Sequence, residues 1–250
     1  MRWRRPSAFD GACRSASDEV SVRTANTSAP PSDSAAAVAP DVGDLLAHEL
    51  RGFLAQALEQ ELAAGLLHEY YTPSRLCQEV ARVVQPLLAE LAAEDGIVRA
   101  LEPSAGIGRF PSALSGAGFE RLRWTLVEYS PLSARILAAL FPAADLYAPM
   151  PFERFISEHE QEVAGSLSLV VSNPPYGERG PSSVEDRSPR YRGEQNAYQY
   201  FLRRTADLLR AGGLGIYLIP YGFLTGQGRS LPRLRETVFR HHHLAAAFRL

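Results

Sequence analysis

Apolar positions change their period more than once along the chain. Residues 1–40 are rich in Ala, Ser, Pro and Thr and nearly free of Leu and Ile. They cannot bury enough apolar surface to offset the entropy of ordering, so a disordered tail is expected. From 44 to 67, Leu45, Leu46, Leu50, Phe53, Leu54, Leu58, Leu62 and Leu66 recur near helical spacing, which predicts a long helix. Thr72-Pro73 reads as a second helix start, a hydroxyl followed by proline at the first helical position, with the helix running to about Glu94. Short apolar runs of strand length come next, at 97–101, 124–127, 146–148, 167–171 and 214–219. Helical stretches lie between them at 109–117, 131–140, 152–162 and 195–211. That alternation predicts an α/β fold, a mostly parallel sheet with helices on both faces. A further helix is expected at 231–240, and a further strand starting at 244–250, inside which the chain stops.

Composition narrows the class. No apolar run reaches the roughly 18 residues a membrane span needs. The basic N-terminus lacks the apolar stretch of a signal peptide, so a cytoplasmic location is expected. Cys13 and Cys77 are too few for a disulfide framework or a zinc site, and no metal site is expected. His241-His242-His243 reads as a helix end, because three consecutive helical residues point about 100° apart and cannot share one ion. Every basic residue is arginine, which reads as GC-rich coding bias. The net charge of −2 is unevenly spread. Residues 173–250 hold 12 Arg against 6 acids, a net of +6, while residues 1–172 hold 14 against 22, a net of −8. A basic C-terminal third suits phosphates, and equally a mixed surface.

Two loops carry the candidate chemistry. Leu101-Glu102-Pro103-Ser104-Ala105-Gly106-Ile107-Gly108-Arg109-Phe110 joins the first strand to the next helix. Its small residues let a ligand press against backbone N–H groups at a helix start; a plain tight turn would look the same. Glu128 ends the second strand, 22 residues after Gly106, where a carboxylate can accept both hydroxyls of a ribose. Together they point to a cofactor containing adenosine. Ser104 stands where a pyrophosphate binder has its first glycine, which favours S-adenosylmethionine over NAD. The second loop is Asn173-Pro174-Pro175-Tyr176 after the fourth strand. Two prolines end a central strand and stiffen the loop beyond it. The side-chain oxygen of Asn173 and the carbonyl of Pro174 can then face one spot and hold both hydrogens of a planar amino group. Tyr176 can stack on the ring that carries it. A rigid turn with a surface tyrosine is the plainer alternative.

With these residues in hand, the chain resembles the N6-adenine DNA methyltransferases of gamma-type motif order over about residues 68–250. Tyr70-Tyr71-Thr72-Pro73 looks like their N-terminal motif, Leu101–Phe110 like their cofactor loop, Glu128 like the ribose acid and Asn173–Tyr176 like the catalytic tetrapeptide. Residues 196–213 are similar to their helix and turn before the fifth strand. The resemblance implies a Rossmann-like S-adenosylmethionine-dependent methyltransferase fold, C-terminally incomplete. It implies a helical segment at 41–95 carrying the Tyr-Tyr-Thr-Pro motif and a catalytic domain at 96–250. The cofactor would rest on Tyr71, Thr72, Pro73, Glu102, Pro103, Ser104, Ala105, Gly106, Gly108, Glu128 and, weakly, Asp145. Asn173, Pro174, Pro175 and Tyr176 would act on adenine turned out of duplex DNA, without metal or covalent intermediate.

The family's acid after the third strand has no match here, since Pro151 stands near that place and Asp145 comes early in the strand. Its later strands and its target-recognition domain are lacking too, which implies the front half of a larger protein or one subunit of a split enzyme, in a restriction–modification or related defence system. The same tetrapeptide suits methylation of an RNA base or a protein glutamine amide, and a non-catalytic subunit that binds cofactor or DNA is a further alternative. Between 177 and 194, Arg179, Arg187, Arg190 and Arg192 lie among glycines and suggest a mobile loop that orders on DNA, or a solvated insertion. Tyr221 and Phe223, after the fifth strand, could line a base pocket, with plain packing the favoured alternative.

Overall fold

A computed structural model describes residues 72–248 apart from Arg229. The expected tail, the 44–67 helix, Cys13 and Tyr71 lie outside these residues. Helix α1 (Ser74–Asp95) leads to β1 (Val98–Glu102), α2 (Arg109–Gly116), β2 (Leu122–Val127), α3 (Pro131–Leu140) and β3 (Asp145–Tyr147). Next come α4 (Phe152–Val163), β4 (Leu167–Ser172), α5 (Ala197–Ala206), β5 (Leu209–Tyr217), the short α6 (Gly222–Thr225) and α7 (Ser230–Phe239). The strands form one all-parallel sheet in the order β3-β2-β1-β4-β5.

Side-chain alternation along the strands feeds two cores. Ala100, Leu126, Leu169 and Val171 point to one face, under Cys77, Ala81, Val84 and Leu88 of α1 and Phe110 and Leu114 of α2. Leu101, Val127 and Val170 point to the other, under Phe152, Phe155 and Ile156 of α4 and Tyr200 and Phe201 of α5. Sheets buried on both faces read as continuous apolar runs, which is how β4 looks in sequence. Behind α5, Tyr198 and Leu202 pack with Phe223, Leu234 and Val238, so α6 and α7 close that side. Helix α3 starts as its sequence dictates, with Pro131 at the first turn and the Ser130 hydroxyl accepting from the Ser133 N–H at 3.4 Å.

Two expectations need correction. The helix expected at 195–211 ends at Ala206, and β5 begins already at Leu209. The pairing with β4 slips between Leu167 and Leu169, where Gly212 adopts φ +75° and Gly213 lies too close to the Leu167 carbonyl to carry a side chain. A bulge of that kind needs glycines, and it is they that let strand replace helix. Residues 242–248 form no strand: Leu244 and Phe248 are exposed, and no described strand pairs with them.

The segment 177–195 is tied down rather than loose. Its ends meet through the Glu178–Asn196 bridge and the Ala197 N–H donating to the Gly177 carbonyl at 2.8 Å. Inside it, Asp186 accepts from the Arg204 guanidinium at 3.1 Å and from the Tyr200 hydroxyl at 2.8 Å. Arg204 also donates to Glu160 at 2.8 Å. Tyr191 donates to Asp207 at 2.6 Å, and Arg203 pairs with Glu194 at 2.6 Å. The side chains of Arg204 and Asp186 are only 2% and 3% exposed, so breaking their pair strands a charge away from water. Asp186→Ala should therefore cost about 3–5 kcal/mol in urea unfolding. The double change Asp186→Leu with Arg204→Met should recover most of that loss. Equal losses in the single and double variants would show the pair to be unimportant.

Candidate functional site

All five strands are parallel, so their carboxyl ends share one edge. The chain leaves β1 toward β2 and β3, and returns through β4 on the other side of β1. At such a reversal the loops after the two central strands diverge and leave a crevice. Thr72, Glu102, Ser104, Ala105, Gly106, Ile107, Arg109, Phe110 and Asn173 line a pocket there. The loop expected to hold a cofactor and the asparagine of the tetrapeptide therefore share one cavity.

The first loop is built on close backbone approach. Ala105 donates its N–H to the Val127 carbonyl at 2.9 Å, holding the loop against β2. Gly106 and Gly108 adopt φ +53° and +77°. At Gly108, whose φ is left-handed, a Cβ would lie 2.2 Å from the Phe141 ring, so any side chain there would be strained and would push that ring aside. Pro103 is buried behind the loop. Glu128 ends β2 as expected: one carboxylate oxygen accepts from the Gly106 N–H at 2.6 Å, the other from the Ser130 N–H at 2.7 Å.

Asn173 sits between two partners. Its amide nitrogen donates to the Thr72 hydroxyl at 3.0 Å, and its side-chain oxygen accepts from the Tyr176 hydroxyl at 2.7 Å. Its backbone carbonyl accepts from the Ser104 hydroxyl at 3.1 Å, which ties the two loops together. Tyr176 also reaches the Leu218 carbonyl at 3.1 Å, and its ring is about half exposed. Partial burial raises its phenol above the usual value. Pro174 is buried and Pro175 exposed. Pro73 caps the start of α1 with its backbone only.

Glu102 is strongly perturbed. It is 3% exposed, and one carboxylate oxygen has no partner. Burial, with the nearby Glu128 charge, pushes its carboxyl well above the ordinary value. Arg109, which no sequence motif singles out, lines the same pocket. Its place directly after the glycine loop is the one signal that could have found it.

Other expected residues lie elsewhere. Asp145 opens β3, in register with Thr125, and pairs with Arg123 at the surface at 3.3 Å, away from the pocket. Arg179 points inward: its guanidinium pairs with Glu153, both side chains about 5–6% exposed, and lies 3.6 Å from the Tyr200 ring centre. Arg190 pairs with Asp207 at 3.1 Å, whereas Arg187 and Arg192 are exposed. Tyr221 and Phe223 divide: Phe223 is core, Tyr221 is 56% exposed. The three histidines come just after the end of α7. Among the described residues no helix is long and apolar enough to cross a membrane.

Residues 149–249 match the model of the Eco57I restriction-modification methylase family. The chain is similar to the defense against restriction protein B of Escherichia phage P1, 28% identical over 208 residues, which is 83% of this chain and 8% of that protein. Among solved structures it is similar to a protein assigned as the modification subunit of a type I restriction enzyme of Vibrio vulnificus. That likeness has a TM-score of 0.56 and 17% identity, over 80% of this chain and 44% of that one. It is also similar to a protein assigned as a class I S-adenosylmethionine-dependent methyltransferase of Listeria monocytogenes, with a TM-score of 0.56 and 16% identity, over 77% of this chain and 59% of that one. The chain thus spans a small part of the phage protein and about half of each solved structure. At such identities the structures speak for the fold: this is an α/β sheet of the S-adenosylmethionine-dependent methyltransferase type.

Proposed function

We propose that the chain transfers a methyl group from S-adenosylmethionine to the N6 amino group of adenine in DNA, within a restriction–modification or related defence system. The observation that carries this reading is the placement of Asn173. It stands at the mouth of the cofactor pocket, locked to Thr72 on one side and to Tyr176 on the other. Resemblance of the tetrapeptide to the adenine methyltransferases supports the substrate, as do the restriction-modification names among the similar proteins.

The residues fit the cofactor. Glu128 suits the ribose hydroxyls, and the orphaned carboxylate oxygen of Glu102 suits the ammonium of an amino acid. When bound, S-adenosylmethionine supplies a methyl on a sulfonium that a nucleophile can take directly. An exocyclic amino nitrogen is a poor nucleophile, because its lone pair is delocalised into the ring. With its nitrogen fixed to Thr72, Asn173 presents its oxygen to the substrate amino group. The Pro174 carbonyl supplies the second acceptor, and a nitrogen held by both hydrogens moves toward tetrahedral geometry. For the base to enter, Tyr176 gives up its bond to Asn173, and its exposed ring becomes the stacking surface. The proton is lost to solvent after transfer. Arg187 and Arg192 are the exposed arginines of the 177–195 segment suited to phosphate contact.

Methyl-labelled S-adenosylmethionine, offered with a mixture of duplex DNA, RNA and release-factor protein, tests the reaction. Label is expected on adenine N6 of DNA; label on RNA or protein would overturn the substrate. Asn173→Ala should lower transfer by about 100- to 1,000-fold while cofactor binding persists, as for removal of a fixed transition-state partner. Tyr176→Phe should keep most transfer and Tyr176→Ala lose it.

Glu102 is expected to serve binding at the expense of stability. A carboxyl raised above its unfolded value favours the fold only while protonated, and that contribution is lost as pH climbs from about 4.5 through the folded value. Without ligand, Glu102→Gln should therefore melt higher than wild type at neutral pH, with the gap closing near pH 4. The same change should weaken S-adenosylmethionine binding about 10- to 100-fold, as for a lost charged hydrogen bond. Calorimetry with and without ligand checks both signs. Changing Arg187 and Arg192 together to Ala should lower the slope of log binding constant against log salt for duplex DNA by about 2.

A further inference from the structure

Glu102 and Arg109 line one small cavity without pairing with each other. Glu102 leaves one carboxylate oxygen unpartnered at 3% exposure. Arg109 leaves its Nε buried and unpartnered, while one terminal nitrogen donates to the Ser74 hydroxyl at 2.7 Å. Buried polar atoms are almost always satisfied, and an acid and a base left open in the same cavity point to a ligand with both charges. The ammonium of an amino acid meets Glu102, and its carboxylate meets the guanidinium. A second feature favours the carboxylate on the Arg109 side. Helix α1, 22 residues long, begins at Ser74 with no side-chain cap, beside Thr72 on the pocket wall. The Leu76 N–H donates to the Pro73 carbonyl at 3.0 Å, so it is the Ser74 and Arg75 amides, with the positive dipole end, that attract an anion on the side where the guanidinium meets Ser74. A flat guanidinium held by Ser74 also matches the plane of a carboxylate better than a point charge would.

We propose that Arg109 holds the α-carboxylate of the cofactor's amino-acid end, so that the pocket reads a zwitterion and selects S-adenosylmethionine over adenosyl sulfonium compounds lacking that carboxylate. The proposal rests on the cofactor reading above and adds to it a residue and a selectivity. Arg109 is a binding residue in this role; the methyl group and the base are handled by Asn173 and Tyr176.

Titration calorimetry with S-adenosylmethionine and with its decarboxylated form tests it. The decarboxylated form keeps adenosine, sulfonium and ammonium and lacks only the carboxylate. Wild type should prefer S-adenosylmethionine by about 10- to 100-fold, the loss expected for one charge-assisted contact. Arg109→Gln should weaken S-adenosylmethionine by that factor and leave the decarboxylated form unchanged, so the preference disappears. Arg109→Lys keeps the charge but not the fork, and should fall between the two. Glu102→Gln should weaken both ligands alike, since both carry the ammonium. Should the glutamine variant fail to melt cooperatively, the lysine variant decides: a reduced preference supports the role, and a full one removes it. Equal loss of both ligands in Arg109→Gln, or an unchanged preference, overturns Arg109 and leaves the cofactor reading standing. Wild type that binds neither ligand overturns both.

Discussion

The parallel ladder between β1 and β4 is the constraint on which the site depends. The chain reaches β4 only after running outward through β2 and β3, so the two central strands hand their ends to loops that travel in opposite directions. The crevice is a consequence of connectivity, and any residues placed after Glu102 and Ser172 must border it. What the sequence adds is how those residues face each other. Ser104 reaches the Asn173 backbone and Thr72 reaches the Asn173 side chain, so three segments far apart in the chain converge on one asparagine. Proline at 174 and 175 removes the backbone freedom that would let that asparagine drift.

The site is electrostatically costly. Glu102 is buried with an open oxygen beside the charge of Glu128, and Arg109 keeps an unpartnered nitrogen. Packing alone would replace such groups with apolar ones. Their presence fits a pocket whose ligand completes the hydrogen bonds, and a fold that is less stable empty than it could be. Elsewhere the molecule uses buried charges as ties, although Arg204 leaves one terminal nitrogen without a partner. Arg179 with Glu153 and Arg204 with Asp186 and Glu160 fasten the segment after the tetrapeptide to α4 and α5. That segment starts at Gly177, directly after Tyr176, so its anchoring limits where the tyrosine ring can go. The tyrosine thus has rigid support on one side and an exposed ring on the other, which suits the stacking role proposed for it.

Much of this was legible in the residue order. Alternation of short apolar runs with helical stretches announced a parallel sheet, because only that architecture hides strands on both faces. Glycines after the first strand, an acid at the end of the second and Asn-Pro-Pro-Tyr after the fourth had to share an edge once the strands were parallel. Local rules sufficed for Pro131 at a helix start. They failed at Leu209–Ala211, where good helix formers enter a strand because a glycine bulge gives β4 a partner. They failed also at 244–248, where an apolar run has no described strand to pair with.

Distance through space decided the rest. In sequence, Arg179 and Arg187 look alike, two arginines in a glycine-bearing segment. In the fold, Arg179 finds Glu153, 26 residues earlier, and is buried, while Arg187 stays in water. Arg109 is an ordinary first-turn residue until the fold sets it beside Glu102 and the start of α1. Asp145 is displaced from the site because β3 opens with it and the crevice lies at the strands' other end. Periodicity and turn chemistry act over a few residues, so the sequence by itself determined the elements and the edge where the chemistry gathers. Which charges face one another depends on contacts across tens of residues, and only the tertiary structure chose between an arginine that fastens a loop and one set on the wall of the pocket.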